Sequence, residues 1–477
     1  MPPYSRRRAA RGHNDLLRLG AIALMALGGR AAYVLLSTQH QELPVGTASS
    51  GLVRSFDEIY YVNGAKALAA GDGFRYPFFV EPEERAEHPP LTSLALTPAA
   101  VVSEGLLPMR LTVAFAGSLV VLLIGLSARA VAGHRAGVIA ALLAAVYPNL
   151  WMNDGLLMSE TFAALGVAAV VALAYALLRR PALPLAIALG AGCAVAMLSR
   201  SELALLVPAI ALPAALRAGA RWRERSILAA AVAATAGLMV APWVVYNLSR
   251  FEEPVFLSIA DGDALIGANC DEAYSGRLLG SHVGTCNGGD LLGEELSVRS
   301  AIRRDLALEY AADNADRLPV VVAARIGRMW NLYQPFQDIR RTETEGRPGW
   351  AALSGLVMYW ALLPLAALGG VALRRRRVPL APLIGLLGLA TLHAAMFFGF
   401  VRHRVGAEVA LVVLASVGVL QLLFRRELHG SDHDVDGGPV SLLFEGAPDP
   451  DSRPGLPVGD ESRLDPLSQR QRGRCPP

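Results

Sequence analysis

Long apolar runs dominate the chain and set its elements. Ten stretches, near residues 16–37, 109–131, 136–152, 159–178, 182–199, 202–216, 227–247, 350–373, 379–400 and 407–424, reach or approach the roughly 20 residues that a membrane helix needs. Two long polar segments interrupt them, 38–108 and 249–349. The first predicts a helix from Asp57 to Ala70, with Ser55 as candidate N-cap, closed by Gly71-Asp72-Gly73. The second predicts a helix through Ala301, Leu306, Leu308 and Tyr310, then an arginine-rich amphipathic stretch from Pro319 to Leu332. An eleventh apolar run, His88 to Val102, is too short to span and is broken by Pro98, so it reads as an interfacial or re-entrant helix. The expected fold is an all-α polytopic membrane protein with about ten transmembrane helices and two large extracytoplasmic loops.

The arginines orient these spans. With a cytoplasmic N-terminus, the inner side receives Arg6, Arg7, Arg8, Arg11 and Arg18, Arg129 and Arg135, Arg179 and Arg180, Arg217, Arg221, Arg223 and Arg225, Arg374 to Arg377, and Arg425 and Arg426. Short outer loops keep only Arg200, Arg402 and Arg404. Had His88–Val102 crossed, every later cluster would lie outside, against the insertion bias for cations. The expectation is a multi-pass plasma-membrane protein with both termini cytoplasmic and both long segments outside. The first span follows a basic stretch like that of a signal peptide, but it is too long and lacks an Ala-x-Ala site, so it reads as retained.

Composition agrees. Of 477 residues 53 % are hydrophobic and 18 % charged, against roughly 25 % charged in soluble chains; disordered, collagen-like and disulfide-scaffold classes are excluded. The net charge of +3 comes from cationic runs beside spans and indicates no nucleic-acid partner. Residues 1–425 read as one membrane domain. The segment 426–477, rich in Pro, Asp, Gly and Ser, reads as a disordered cytoplasmic tail. Of four cysteines, Cys193 sits in a span and Cys475 in the tail, whereas Cys270 and Cys286 share one outer segment, where a disulfide between them is expected.

Charged groups near spans are costly and mark function. Asp57, Glu58, Asp154, Glu160, Arg200, Glu202, Arg402, Arg404 and Glu408 fall at outer helix ends or outer loops, and only Arg30 lies well inside a span. A transporter would place such groups at the midplane; here any chemistry belongs to the outer surface. Asp57-Glu58 at a helix start is a candidate general base or cation ligand, against the simpler reading of acids that complement the helix dipole. Arg402-His403-Arg404 between two spans can grip a phosphate or merely anchor at the headgroups. Arg200 and Glu202 read first as an ion pair. The Asp-x-Asp at Asp261-Gly262-Asp263 is too short to be specific, the calcium-loop-like Asp432-His433-Asp434-Val435-Asp436-Gly437 is incomplete, and the formal sequon Asn247-Leu248-Ser249 means little without a eukaryotic secretory route.

Taken in order, Phe56-Asp57-Glu58-Ile59-Tyr60-Tyr61, Gly71-Asp72-Gly73-Phe74, His88-Pro89-Pro90-Leu91, Met158-Ser159-Glu160, Ser199-Arg200-Ser201-Glu202, the loop from Gly267 to Cys286, and Arg402-His403-Arg404 with Glu408 resemble the GT-C membrane glycosyltransferases. The resemblance covers residues 15 to about 425 and is to the family 39-like set, which includes protein O-mannosyltransferases and the aminoarabinose transferase acting on lipid A. It implies a bacterial inverting enzyme that moves a hexose or pentose from a polyprenyl-phosphate sugar donor to a glycan, lipid or protein acceptor at the outer membrane face. It implies Asp57 and Glu58 as the catalytic carboxylates, Arg402 and Arg404 as donor-phosphate contacts, and Tyr60, His88, Glu160, Arg200 and Glu202 as further candidates for substrate contact. His403 stands where relatives carry tyrosine. A divalent cation is left open as a cofactor, with no metal ligand assigned. A lipid-linked glycan transporter or polymerase, and a noncatalytic membrane scaffold, are the competing classes.

Overall fold

The computed structural model describes residues 3–37, 56–77, 82–286, 289, 291 and 293–429. The chain divides into two units, residues 1–436 and 437–477, and the second lies outside the described residues, as do Ser55, the calcium-loop-like stretch and Cys475.

Each of the ten apolar runs is helical. Among the described residues seven helices are long and apolar enough to cross a membrane: Asn14–Ser37, Leu107–Ala132, Glu160–Arg179, Ser201–Ala218, Trp222–Leu248, Gly349–Arg375 and Val401–Phe424. The run at 136–152 is a broken pair, His134–Val146 and Pro148–Gly155, bent by 67°. Tyr147 is extended (φ −74°, ψ 112°), the conformation imposed on a residue that precedes proline. Two runs form shorter helices, Leu183–Ser199 and Ala381–Met396. The expected ten spans are thus seven long helices, one bent pair and two short helices, in a multi-pass membrane protein.

His88–Val102 contributes the twelve-residue helix Leu91–Val102 and is not among the seven. Within the first polar segment lies the helix Phe56–Ala70, and the all-α expectation needs one correction. Arg75–Pro77 pairs antiparallel with Pro82–Glu84 in a small hairpin. Gly71 and Gly73, at φ +90° and +68°, turn the chain into it through conformations that only glycine adopts cheaply. The last helix, Val405–His429, runs past the expected boundary at 425.

That last helix is the central post. Val409, Ala410, Val412, Val413, Ala415 and Val417 are all buried, and it lies along Gly349–Arg375. A Cβ on Gly369 would run into the Leu414 carbonyl, and one on Gly418 into the Leu365 carbonyl; small residues let membrane helices approach this closely. Arg30, the one cation well inside a span, donates to Asp154 Oδ2 at 2.6 Å, both buried. A buried cation requires such a partner. In the second outer segment Cys270 and Cys286 are disulfide-bonded. Asp261 and Asp263 are tied to Arg304 and Arg303, so the Asp-x-Asp motif is spent on ion pairs.

Candidate active site

Five segments distant in sequence bring charged side chains together beside the two long polar segments. The helix Phe56–Ala70 contributes Asp57, and the turn Val401–Arg404 contributes Arg402. Arg402 Nη1 stands 2.7 Å from Asp57 Oδ2, 3.5 Å from Glu345 Oε1 and 3.9 Å from Glu160 Oε1. Glu160, at the start of its span, also faces Arg347 Nη2 at 3.3 Å and Arg200 Nη1 at 3.8 Å. Arg347 donates from Nε to Asn153 Oδ1 at 2.8 Å and from Nη1 to Glu345. Arg200 closes the row on Glu202, Nε to Oε1 at 2.6 Å. Positive and negative groups therefore alternate, which lets so many ions share a partly buried place.

All three carboxylates meet Arg402 through Nη1, while its Nε is buried without a hydrogen-bond partner. Arg402 and Arg347 also line a small recess, together with Asn149, Asn153, Thr342 and Glu408. Its lining mixes signs: Arg402 and Arg347 face it with the Glu408 carboxylate, Arg347 being paired to Glu345 and Glu160 and Asn149 donating to Glu408.

Asp57 is held from two sides. Its Oδ1 lies 3.2 Å from His88 Nε2. The ring of His88 stacks on Tyr61 with centroids 5.2 Å apart, and Tyr60 donates its hydroxyl to the His88 carbonyl oxygen at 2.9 Å. His88 precedes Pro89-Pro90, whose fixed φ angles lead directly into Leu91–Val102. Burial alone would raise the Asp57 carboxyl, but Arg402 and then His88 hold it well below the usual 3.8. It is a carboxylate throughout the neutral range.

Several residues expected here have other surroundings. Glu58 points away from Asp57 and is fully buried, 3.8 Å from Arg110 Nη2 and accepting from the Leu157 amide at 3.4 Å. Successive helix residues diverge by about 100°, so only one of the pair reaches the charged row. Arg404 does not meet Arg402 at a shared opening. It is wholly buried, donating from Nε to Glu408 Oε1 and from Nη1 to the Met329 carbonyl, both at 2.8 Å, with its guanidinium 3.7 Å above the Tyr359 ring. Arg402 and Arg404, expected together as phosphate contacts, thus do not face one opening, and the arginine that shares a recess with Arg402 is Arg347. Glu345 and Arg347 were missed in the sequence reading, although their signal was a short polar stretch directly before the span at Gly349.

Residues 87–246 match the family described as dolichyl-phosphate-mannose-protein mannosyltransferase. That stretch contains His88, Glu160, Arg200 and Glu202 and about a third of the chain. The archaeal oligosaccharyltransferase AglB from Archaeoglobus fulgidus, solved in complex with an inhibitory peptide and a dolichol-phosphate, superposes with a TM-score of 0.50 at 14 % identity over 90 % of this chain. The chain has the GT-C fold. It spans about half of that archaeal protein, 53 %. ArnT from Cupriavidus metallidurans bound to undecaprenyl phosphate is similar over 87 % of this chain and 80 % of its own, at 16 % identity and a TM-score of 0.41. No sequence among curated proteins matches. Within the GT-C fold, the row from Asp57 to Glu202 is built from both long polar segments and from the ends of membrane helices.

Proposed function

We propose that this protein is an inverting membrane glycosyltransferase that moves a sugar from a polyprenyl-phosphate donor to an acceptor hydroxyl or amine at the outer face of the membrane, with both termini cytoplasmic. The carrying observation is the meeting of Asp57 Oδ2 and Arg402 Nη1 at 2.7 Å: a carboxylate with its proton off sits beside a cation with a donor group to spare. The family match over residues 87–246 and the fold shared with a protein solved with a dolichol-phosphate support this reading.

In the step, the acceptor oxygen or nitrogen attacks the anomeric carbon of the donor and its proton passes to Asp57. The bond between that carbon and the phosphate oxygen breaks, and the electron pair leaves with the phosphate. Phosphate is a good leaving group and needs charge stabilisation more than an acid, which Arg402 supplies from the unpartnered Nε edge, with Arg347 across the recess. The phosphate and Asp57 compete for Arg402, so donor binding frees the base from its ion pair at the moment it is needed. Glu160 and Glu345 then hold the remaining Nη1.

A transporter or polymerase would be expected to carry ionisable groups at the midplane. Here Arg30, the cation read from the sequence as well inside a span, is consumed by Asp154. The test is to incubate the purified protein in lipid with a panel of radiolabelled polyprenyl-phosphate sugars. Release of polyprenyl phosphate with label in an acceptor is expected from one or more donors. Movement of intact donor across the bilayer without cleavage would overturn the reading.

A further inference from the structure

At the Glu202 end of the charged row lies a group of side chains that the proposed transfer does not use. Glu202, at the start of Ser201–Ala218, His393, near the end of Ala381–Met396, and His403, in the turn Val401–Arg404, each offer a ligand atom, and these atoms lie within 4.8 Å of one another. His393 is the sole titratable residue on an apolar helix. Both of its ring nitrogens, and Nε2 of His403, are buried without a hydrogen-bond partner. The two imidazoles stack with centroids 4.6 Å apart and planes 17° from parallel. Phe397 and Phe398 pack against them, with Phe397 on His393 at 5.2 Å and Phe398 on His403 at 5.1 Å.

Three buried imidazole nitrogens left unpaired in an aromatic setting cost free energy that packing alone does not return. An apolar side chain would fill the His393 position better. The geometry points to a divalent transition-metal site formed by Glu202, His393 and His403, of the zinc class. Two imidazoles and one carboxylate form a donor set that suits zinc and disfavours magnesium or calcium, which take oxygen ligands. Three protein ligands leave a coordination position for water or a substrate oxygen. Tetrahedral zinc spaces its ligand atoms by roughly 3.3 Å, so on loading the two near-parallel rings turn out of their stack until their in-plane lone pairs converge on one point.

Arg200 is the competing occupant. Its guanidinium binds Glu202 through Nε at 2.6 Å and contacts His403 Nδ1 through Nη2. The same side chain already faces Ser159 Oγ at 3.4 Å and Glu160 Oε1 at 3.8 Å through Nη1, so it has somewhere to go when a cation takes Glu202 and His403. The metal would join three elements at one point, and one of them is the turn that carries Arg402.

The test uses tag-free full-length protein in lipid nanodiscs, stripped with chelator and titrated with Zn²⁺ or with Co²⁺ as a visible probe. One tightly bound ion per chain, with the intense d–d bands of four-coordinate cobalt, is expected for the natural protein, and loading should slow amide exchange across 397–404. His393→Ala and His403→Ala should each weaken binding at least tenfold, whereas His282→Ala should leave it unchanged. Arg200→Gln should tighten it, which a merely structural role for the histidines would not produce. Absence of a bound ion in the natural protein, or undiminished binding in both histidine variants, would overturn the assignment. The readout is binding, so it stands apart from whether sugar transfer is detected.

Discussion

The ion pair between Asp57 and Arg402 makes a different demand on each partner. Asp57→Asn keeps the size and most of the hydrogen bonding but removes the basic oxygen. Turnover should fall about a hundredfold or more while donor affinity persists. Glu58→Gln makes the same charge change on a side chain buried against Arg110 and the Leu157 amide, so its effect should appear in stability. A thermal-shift assay run beside the transfer assay separates the two. The pH dependence has a definite sign. The Asp57 carboxyl lies well below 3.8 because Arg402 and His88 outweigh its burial. The acid limb of kcat/KM, which reports the free enzyme, should therefore lie below the ordinary carboxylate range. Arg402→Gln leaves burial less opposed, so that limb should move to higher pH in the residual activity. The same depressed carboxyl contributes folding stability above the unfolded value near 4, and this is lost as pH falls through its folded pKa.

Helices are legible in this sequence because a membrane span must be apolar along its length, and each of the ten runs became helix. What the runs do not encode is where a helix breaks or how closely two of them approach. Tyr147-Pro148 breaks one run by 67°, a signal present in the sequence but outweighed by the apolar residues around it. The hairpin at Arg75–Pro77 and Pro82–Glu84 was too short to leave an alternating pattern. For the site, Glu160, Arg200, Glu202 and Arg402 were visible as charged residues at span ends, Asp57 as an acid at the start of a helix in the first polar segment, and His88 through the family resemblance alone. That Arg404 turns inward to Glu408 depends on which face of the last helix meets Tyr359, and no local pattern states that. The contact between Gly349–Arg375 and Val405–His429 gives a prediction of its own. Gly369→Ala or Gly418→Ala puts a methyl against a carbonyl of the partner helix, and should destabilise the protein by roughly 1–3 kcal/mol through forced separation of the pair. Arg402 sits on the turn that leads into that last helix, so the same variants should weaken donor binding, measurable by lipid-phosphate titration.

At the scale of the molecule, the arginine distribution predicts that residues 56–77 and 249–349 lie on the side opposite Arg374–Arg377. An impermeant thiol reagent should label a single cysteine placed at Asp72 and spare one placed at Trp222, and the reverse pattern would invert the topology. The Cys270–Cys286 bridge closes a loop with a separation of 16 residues; it should stabilise the outer segment by about 3 kcal/mol through the unfolded state, read as the loss on replacing both cysteines by serine. The sharing of Arg402 among Asp57, Glu345 and Glu160 bears on the end of the reaction cycle as much as on its start. A donor phosphodiester carries one negative charge, whereas the phosphate monoester left behind carries about 1.5 to 2 at neutral pH. In the proposed transfer the spent carrier lipid would therefore bind the arginines more tightly than the fresh donor and would have to be expelled. Three carboxylates waiting on one guanidinium would be the means of expulsion, reclaiming Arg402 as the phosphate departs. Neutralising Glu345 should leave the first turnover fast and slow every later one, with a burst in the time course and stronger inhibition by added polyprenyl phosphate.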